Sequence, residues 1–332
     1  MNEFLFGILE WIRGWAGNYG LAVVIFTVLI RLVLTPLDIK SRVSMRKTTK
    51  LQPQMQALQK KYANDKEKLN AKTAELYKKE HVNPLSSCLP LLLTWPILIA
   101  VFGAMRTAAN GQLLNQLTDL LNGRTPVLEP FLWVKNVWMP DSFFSAAYPN
   151  ADALRQISAD EWQRWYNGLE AVPAILTDLN LTVDSFSGAN LQNTLKLLTE
   201  ALVASNETYA NAIAANGGWT FNLLITRLTV VREFNGLLLL PILSAVTQIL
   251  MTKLTAGPQQ PSAEGTPGAS TGKFMQWFFP IFSLYICVGY SAAFALYWVA
   301  GNVVMMVQTL IINKVLDKKE KEAAVAGEGS VK

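Results

Sequence analysis

Leu21-Ala-Val-Val-Ile-Phe-Thr-Val-Leu-Ile-Arg31-Leu-Val-Leu-Thr-Pro36 is an apolar run with one cation inside it. The run is long enough, with its flanks, to cross a bilayer as a helix. A cation near the centre of such a helix costs roughly 2.5–3.5 kcal/mol on insertion scales. Arg31 is too deep to be read as a side chain snorkelling from a helix end, because apolar residues stand on both sides of it. The stretch therefore predicts a helical membrane protein with a wet, polar cavity inside its bundle. Composition agrees. Of 332 residues, 51% are hydrophobic and only 16% charged, with a mean hydropathy of +0.23, which is the balance of a polytopic α-helical membrane protein.

Residues 18–39 form the first span, which ends at Pro36. Residues 1–17 are too short to cross. Phe4, Ile8, Trp11 and Trp15 recur at i, i+4, i+7 and i+11, which predicts an interfacial amphipathic helix. No basic n-region precedes Phe4, so no cleavable signal is expected, and no Cys lies near Met1 to carry a lipid. Residues 40–83 carry twelve Lys/Arg between Lys40 and Glu80 against four acids. Leu51, Met55, Leu58 and Tyr62 make one narrow apolar seam, and Leu69, Thr73 and Leu76 another. Asn64 and Glu67 read as a capping box between them. This is a basic helical hairpin.

The second span, 84–106, holds Pro84, Pro90 and Pro96 at a spacing of six, so it is expected to bend. Residues 107–235 are polar and net negative, with eight basic and twelve acidic residues over 106–235. They read as a mostly helical extramembrane insert, with a capping box at Ser158 and Glu161 and with Trp219–Val231 on the membrane surface. The third span is 236–254. A Gly-, Pro- and Ser-rich linker follows at 255–273. The apolar stretch 274–313 is too long for one crossing and breaks at Gly289-Tyr-Ser291, giving the fourth and fifth spans. A charged tail occupies 314–332; from Lys314 on it has five Lys and four acids, too balanced to be a strong ribosome anchor.

Positive charge marks the cytoplasmic side. The basic hairpin and the tail then lie inside and the acidic insert outside, with the N-terminus outside and the C-terminus cytoplasmic. Five spans satisfy every connection. Cys88 and Cys287 both lie in apolar runs, so neither a disulfide framework nor a metal site is expected. His81 reads as a solvated histidine. No span holds the His or Lys base of a serine protease or a cluster of metal ligands, so the chain is not read as an enzyme, and no cofactor is implied.

Five segments in this order resemble the YidC-type membrane protein insertase family. They are Thr27-Val-Leu-Ile-Arg31 through Pro36-Leu; Leu51-Gln-Pro-Gln-Met55 with Lys60-Lys-Tyr62 and Leu76-Tyr-Lys78; Val82-Asn-Pro84-Leu with Cys88-Leu-Pro90 and Pro96-Ile; Phe131-Leu-Trp133; and Ala295-Leu-Tyr297-Trp298 with Asn302 and Gln308-Thr309. The resemblance covers roughly 18–140 and 236–316. Two departures stand out. The family usually has a small-Gly pair and a Gln in the second span, where this chain has Ser86-Ser87 and Thr94-Trp95. The insert after Asp141 is also longer than in most relatives. No large extracytoplasmic domain is expected before the first span, which resembles Gram-positive-type members.

The resemblance implies a bacterial plasma-membrane protein that inserts hydrophobic segments of nascent proteins through a hydrophilic groove. Arg31 matches the groove's central cation, with Thr27 one turn before it on the same face. Thr94 and Gln248 would add hydrogen-bonding groups, and Tyr297, Trp298 and Asn302 would line the fifth span. It implies nascent membrane proteins, the ribosome, the Sec translocon and anionic lipids as partners, no DNA, and a monomer as sufficient unit. Two rival readings use the same residues: an assembly chaperone working only with a translocon, and an anion transporter with Arg31 as its site. No internal repeat supports the transporter.

Overall fold

The computed structural model describes residues 2–80, 89–222, 227–255 and 269–329. Helix α1 (Asn2–Ala16) leads into α2 (Tyr19–Lys61), α3 (Lys66–Lys79) and α4 (Leu89–Leu121). The insert then contributes α5 (Ala151–Leu154), α6 (Ala159–Asn167), α7 (Ala174–Asp178), α8 (Leu191–Ser205) and α9 (Glu207–Ile213). A β-hairpin of β1 (Ala215–Asn222) and β2 (Arg227–Val231) follows. The bundle is completed by α10 (Leu239–Thr255), α11 (Ala269–Gly289) and α12 (Ala292–Gly329). The fold is an all-α polytopic membrane bundle. Among the described residues, Tyr19–Lys61, Pro96–Leu121 and Ala292–Glu322 are each long and apolar enough to cross a membrane, while Leu239–Thr255 and Gln276–Gly289 are shorter apolar helices.

Helix α2 does not stop at Pro36. It runs 43 residues through Pro36 and Pro53 and becomes the first arm of the basic hairpin. A proline deprives one carbonyl of its intrahelical donor, and neighbouring groups must compensate. Pro36 takes the donor from the Leu32 carbonyl; one residue before it, Thr35 Oγ1 donates back to the Arg31 carbonyl at 3.0 Å, and Gln308 Nε2 of α12 reaches that Arg31 oxygen at 3.2 Å. The turn to α3 is capped one residue later than expected. Asp65, not Asn64, accepts from the Lys68 N–H at 3.0 Å. The Lys68 backbone N–H and then its ammonium hold the Asp65 carboxyl below the usual range.

Helix α1 carries two stripes. Leu5, Leu9 and Ile12 are buried against α2 and α4, while Phe4, Trp11 and Trp15 stay exposed on the outside. The expected outward aromatic face is present, but the inward Leu/Ile stripe fixes the helix to the bundle. Around the centre, α2 packs on α12, α12 on α10, and α10 on α11; α4 also meets α2 and α12. The break before α12 falls where it was read, with α11 ending at Gly289 and α12 starting at Ala292.

The insert folds onto the end of the bundle opposite the basic hairpin. The Ser158–Glu161 capping box is formed, and Glu161 also accepts from Asn110 Nδ2 of α4 at 2.9 Å. Trp165 Nε1 donates to Thr118 Oγ1 at 2.9 Å. The expectation of a mostly helical insert needs one correction. Thr220, Phe221 and Asn222 pair with Thr229, Leu228 and Arg227 in an antiparallel hairpin. The β-branched and aromatic residues here suit a pleated ribbon better than a helix. His81, Pro84, Ser86, Ser87 and Cys88 lie outside the described residues.

Candidate functional site: a polar stripe between α2 and α12

Polar residues recur along α2 as Thr27, Arg31, Thr35, Asp38, Arg42 and Arg46. Spacings of three and four place them on one face of a helix. That face meets α12, which answers with Gly301, Gln308, Thr309, Asn313 and Asp317. Gly301 is what lets Arg31 fit. A Cβ at Gly301 would lie 3.2 Å from Arg31 Nη2 and 3.5 Å from Nε, with the Thr27 methyl at 3.7 Å. The guanidinium therefore rests on the bare backbone of α12, half-buried. It forms no ion pair among the described residues.

Below Arg31, Gln308 ties the helices together by donating to Thr35 Oγ1 at 2.7 Å as well as to the Arg31 carbonyl. Its own Oε1 is buried without a donor among the described residues, and so is Asp38 Oδ2, two turns beyond Arg31. Buried acceptors are costly unless a donor or ordered water serves them. Further along, Arg42 donates to Thr309 Oγ1. Arg46 reaches the Asn313 carbonyl at 3.2 Å and pairs with Asp317 at 2.7 Å, and Lys50 pairs with Glu320 at 3.3 Å. Charge on this stripe is thus ion-paired at its far end and unpaired at Arg31.

The other residues singled out from the sequence fall into a second cluster. Trp298 Nε1 donates to Gln248 Oε1 at 3.4 Å, and Asn302 Nδ2 to Thr247 Oγ1 at 3.1 Å. These bonds join α10 to α12 and do not reach Arg31. Tyr297 is buried. The Thr27 hydroxyl is spent on its own helix, donating to the Val23 carbonyl at 2.7 Å. The side chain of Thr94 lies outside the described residues. Gly301, Thr35, Asp38 and Gln308 were not read as site residues, although the three-four spacing along α2 was there to find.

The insert end is closed by a separate network. Phe131 lies over Gly20, where any Cβ would strike its ring. Asn235 Nδ2 donates to the carbonyls of Asn136, Met139 and Pro140, and Asn136 Nδ2 to Gln116 Oε1 and the Ala147 carbonyl. The first N–H groups of α12, on Ala292 and Ala293, donate to the Met139 and Val137 carbonyls. One end of the bundle is therefore sealed by backbone and amide hydrogen bonds.

A family model described as 60Kd inner membrane protein matches residues 11–186 and 189–320. The chain belongs to that family. Its relatives include the membrane protein insertase YidC of Fusobacterium nucleatum, 39% identical over 144 residues. That match covers 43% of this chain and 62% of the relative. The insertase YidC of Anaeromyxobacter dehalogenans strain 2CP-C is 38% identical over 137 residues, 41% of this chain and 22% of the relative. The protein of the same name from Chlorobaculum tepidum is 27% identical over 317 residues, 96% of this chain and 36% of the relative. Each match thus spans less than two thirds of the relative's length. Family membership establishes the resemblance seen in the five ordered segments and makes the chain a membrane protein.

Proposed function

We propose that the chain is a membrane protein insertase and chaperone that passes hydrophobic segments of nascent proteins into a bacterial plasma membrane. The observation that carries this reading is Arg31: a cation inside an apolar span, seated on Gly301 and committed to no carboxylate. An insertase has to carry a short polar segment past lipid while its hydrophobic helix leaves sideways. A polar, hydrated groove lowers the cost of the first step. The acceptors of Gln308 Oε1 and Asp38 Oδ2, buried without a donor among the described residues, favour water along this stripe.

In this reading Arg31 attracts acidic residues in the leading end of a substrate. At an effective dielectric of about 20, two unit charges 4 Å apart attract by roughly 4 kcal/mol, against about 1 kcal/mol in water. Such a contact is strong enough to capture and weak enough to release as the helix enters lipid. The hairpin lies on the cytoplasmic side, where its lysines and arginines suit anionic headgroups or ribosomal RNA. The sealed insert end faces outward, with the N-terminus outside and the C-terminus in the cytoplasm. Nascent chains, the ribosome and the Sec translocon are the proposed partners. No residue is assigned a catalytic role.

Reconstitution tests this. Purified protein in vesicles is given a single-span substrate with a short acidic N-terminal tail, and wild type is compared with Arg31→Ala and Arg31→Lys. Insertion by wild type and Lys but not Ala is the expected result. Equal insertion by all three would remove the electrostatic role of Arg31. No insertion by wild type alone would move the translocon-dependent chaperone ahead.

A further inference from the structure

At the insert end of the bundle, a cavity of about 310 Å³ opens between α4, the α11–α12 turn and the insert. Arg31 does not line it. Its walls are mainly apolar: Phe102 and Leu113 of α4, Val288 and Phe294 on either side of the turn, and Phe144 of the insert. The volume lies at the lower end of the roughly 300–1,000 Å³ range of ligand pockets. Polar side chains interrupt this lining, among them Asn110, Ser142, Asn150 and Ser291, and two donor-bearing residues, one buried and one exposed, stand out.

The first is Trp138. Its side chain is almost wholly buried, it lines the cavity, and its Nε1–H has no acceptor among the described residues. A buried indole N–H ordinarily finds a partner. The second is Arg106, exposed, at the residue where the second span was read to end. It donates to the Gln156 carbonyl and forms no ion pair among the described residues, and a guanidinium has five N–H donors to offer. The acid at the same rim, Asp152, faces Arg155 at 3.9 Å. The cavity thus combines a largely apolar chamber, a buried indole N–H without an acceptor among the described residues and an exposed cation in its lining.

We propose that this cavity holds one anionic phospholipid from the leaflet on the insert side. An acyl chain lies among Phe102, Leu113 and Phe294, an ester carbonyl accepts from Trp138 Nε1, and the phosphate meets Arg106. A polar substrate tail fits less well, because the lining is mostly apolar. Val288 is partly exposed beside the mouth, on the flank that would face lipid. The bound lipid would join the insert to the bundle, since its surroundings come from both. This inference stands apart from the insertion reading.

The test uses the full chain in phosphatidylcholine vesicles containing phosphatidylglycerol with a diazirine in its acyl chain. After irradiation, adducts are mapped by peptide mass spectrometry. Adducts are expected on 102–113 and 138–153, and unlabelled phosphatidylglycerol should compete better than phosphatidylcholine. Ala109→Trp, which fills the cavity, should lose these adducts while lipid-facing Ile281 and Tyr285 stay labelled. Trp138→Phe should weaken them. Arg106→Gln should keep chain labelling and lose the preference for phosphatidylglycerol; this surface variant decides the matter if Ala109→Trp does not fold. Adducts confined to lipid-facing residues, unchanged labelling of a folded Ala109→Trp, or no headgroup preference in wild type would overturn the proposal. So would displacement of the probe by a substrate tail.

Discussion

Removing Asp141 should loosen the sealed end of the bundle. Its carboxylate is fully buried. Oδ1 accepts from the Leu237 N–H at 2.7 Å, and Oδ2 from the Leu240 N–H at 2.7 Å and from Trp133 Nε1 at 3.2 Å. Leu240 is in the first turn of α10, so Asp141 caps that helix from about a hundred residues away, where a negative charge also suits the helix dipole. Leu238 between the two donors has φ +60, and Gly236 leaves no room for a Cβ, which would lie 2.0 Å from Oδ1. Hydrogen bonds to a charged group contribute about 1.5–3 kcal/mol each. Two short ones and a longer third are lost in Asp141→Ala. Relaxation of Leu238 returns about 1–3 kcal/mol. The net cost is on the order of 2–5 kcal/mol, a fall in apparent Tm on the order of 5–15 °C. Buried Cys287 supplies the readout: in a Cys88→Ser background it is the only thiol, and a thiol-reactive dye reports its exposure on heating in detergent. Asp141→Asn, with one carbonyl oxygen and an NH₂ opposing a donor, should resemble Ala. A shift under about 2 °C, less than roughly 1 kcal/mol, would refute the assignment of Asp141 as a remote cap.

Gly301→Ala should be tolerated with a small movement of the guanidinium, whereas Gly301→Leu should push Arg31 out and cut insertion of the acidic-tail substrate about tenfold, or ~1.4 kcal/mol; equal activity would show that the seat on Gly301 is irrelevant. Arg31→Leu should abolish insertion of that substrate while leaving thermal stability equal or higher, because an unpaired charge is replaced by an apolar side chain; a clear drop in Tm would make Arg31 a structural anchor instead. Burial pushes the Tyr209 phenol from its ordinary 10.0 up to about 12, and it donates to the Pro149 carbonyl at 2.9 Å. The raised value means its stabilisation is complete below pH 10 and lost as pH rises towards 12, so proteolysis of the insert should accelerate in that window. Tyr209→Phe should cost about 1 kcal/mol at neutral pH and flatten that response; identical pH profiles would disprove the link.

The helical membrane class was legible because hydropathy acts on every residue of a long segment at once. The break at Gly289–Ser291 and the Ser158–Glu161 box were legible because each is local. Helix α2 was harder. Pro36 reads as a stop, yet the helix runs on through it to Lys61, packed against α12 from the far end of the chain. The site shows the same limit. Arg31 announces itself by its cost, but Gly301 is one glycine among 20, and nothing local marks it as the seat for a guanidinium. Gln248, Trp298 and Asn302 read as groove residues because they are polar or aromatic in spans; the bonds they make join α10 to α12, a pairing that no local pattern announces. The β-hairpin was missed because Trp219–Val231 has no clean alternation and was read as surface-lying.

The order of charges along α2 is the opposite of what stability alone would favour. Ion pairing matters most where water is scarce, since an unpartnered charge there is the most expensive. Yet Arg46 and Lys50, at the hairpin end and partly or largely exposed, are paired with Asp317 and Glu320, while Arg31, within the apolar run, is not. A carboxyl group shares the stripe: Asp38 lies two turns on, and its Oδ2 has no donor among the described residues. Gln308 braces the backbone of Arg31 and leaves the guanidinium uncommitted. A helix built only to be stable would have closed that pair or replaced both residues with leucine. Keeping a cation and a carboxylate on one face, unjoined and against a glycine, makes sense if water fills the space between them and a substrate's charge enters it for a short time.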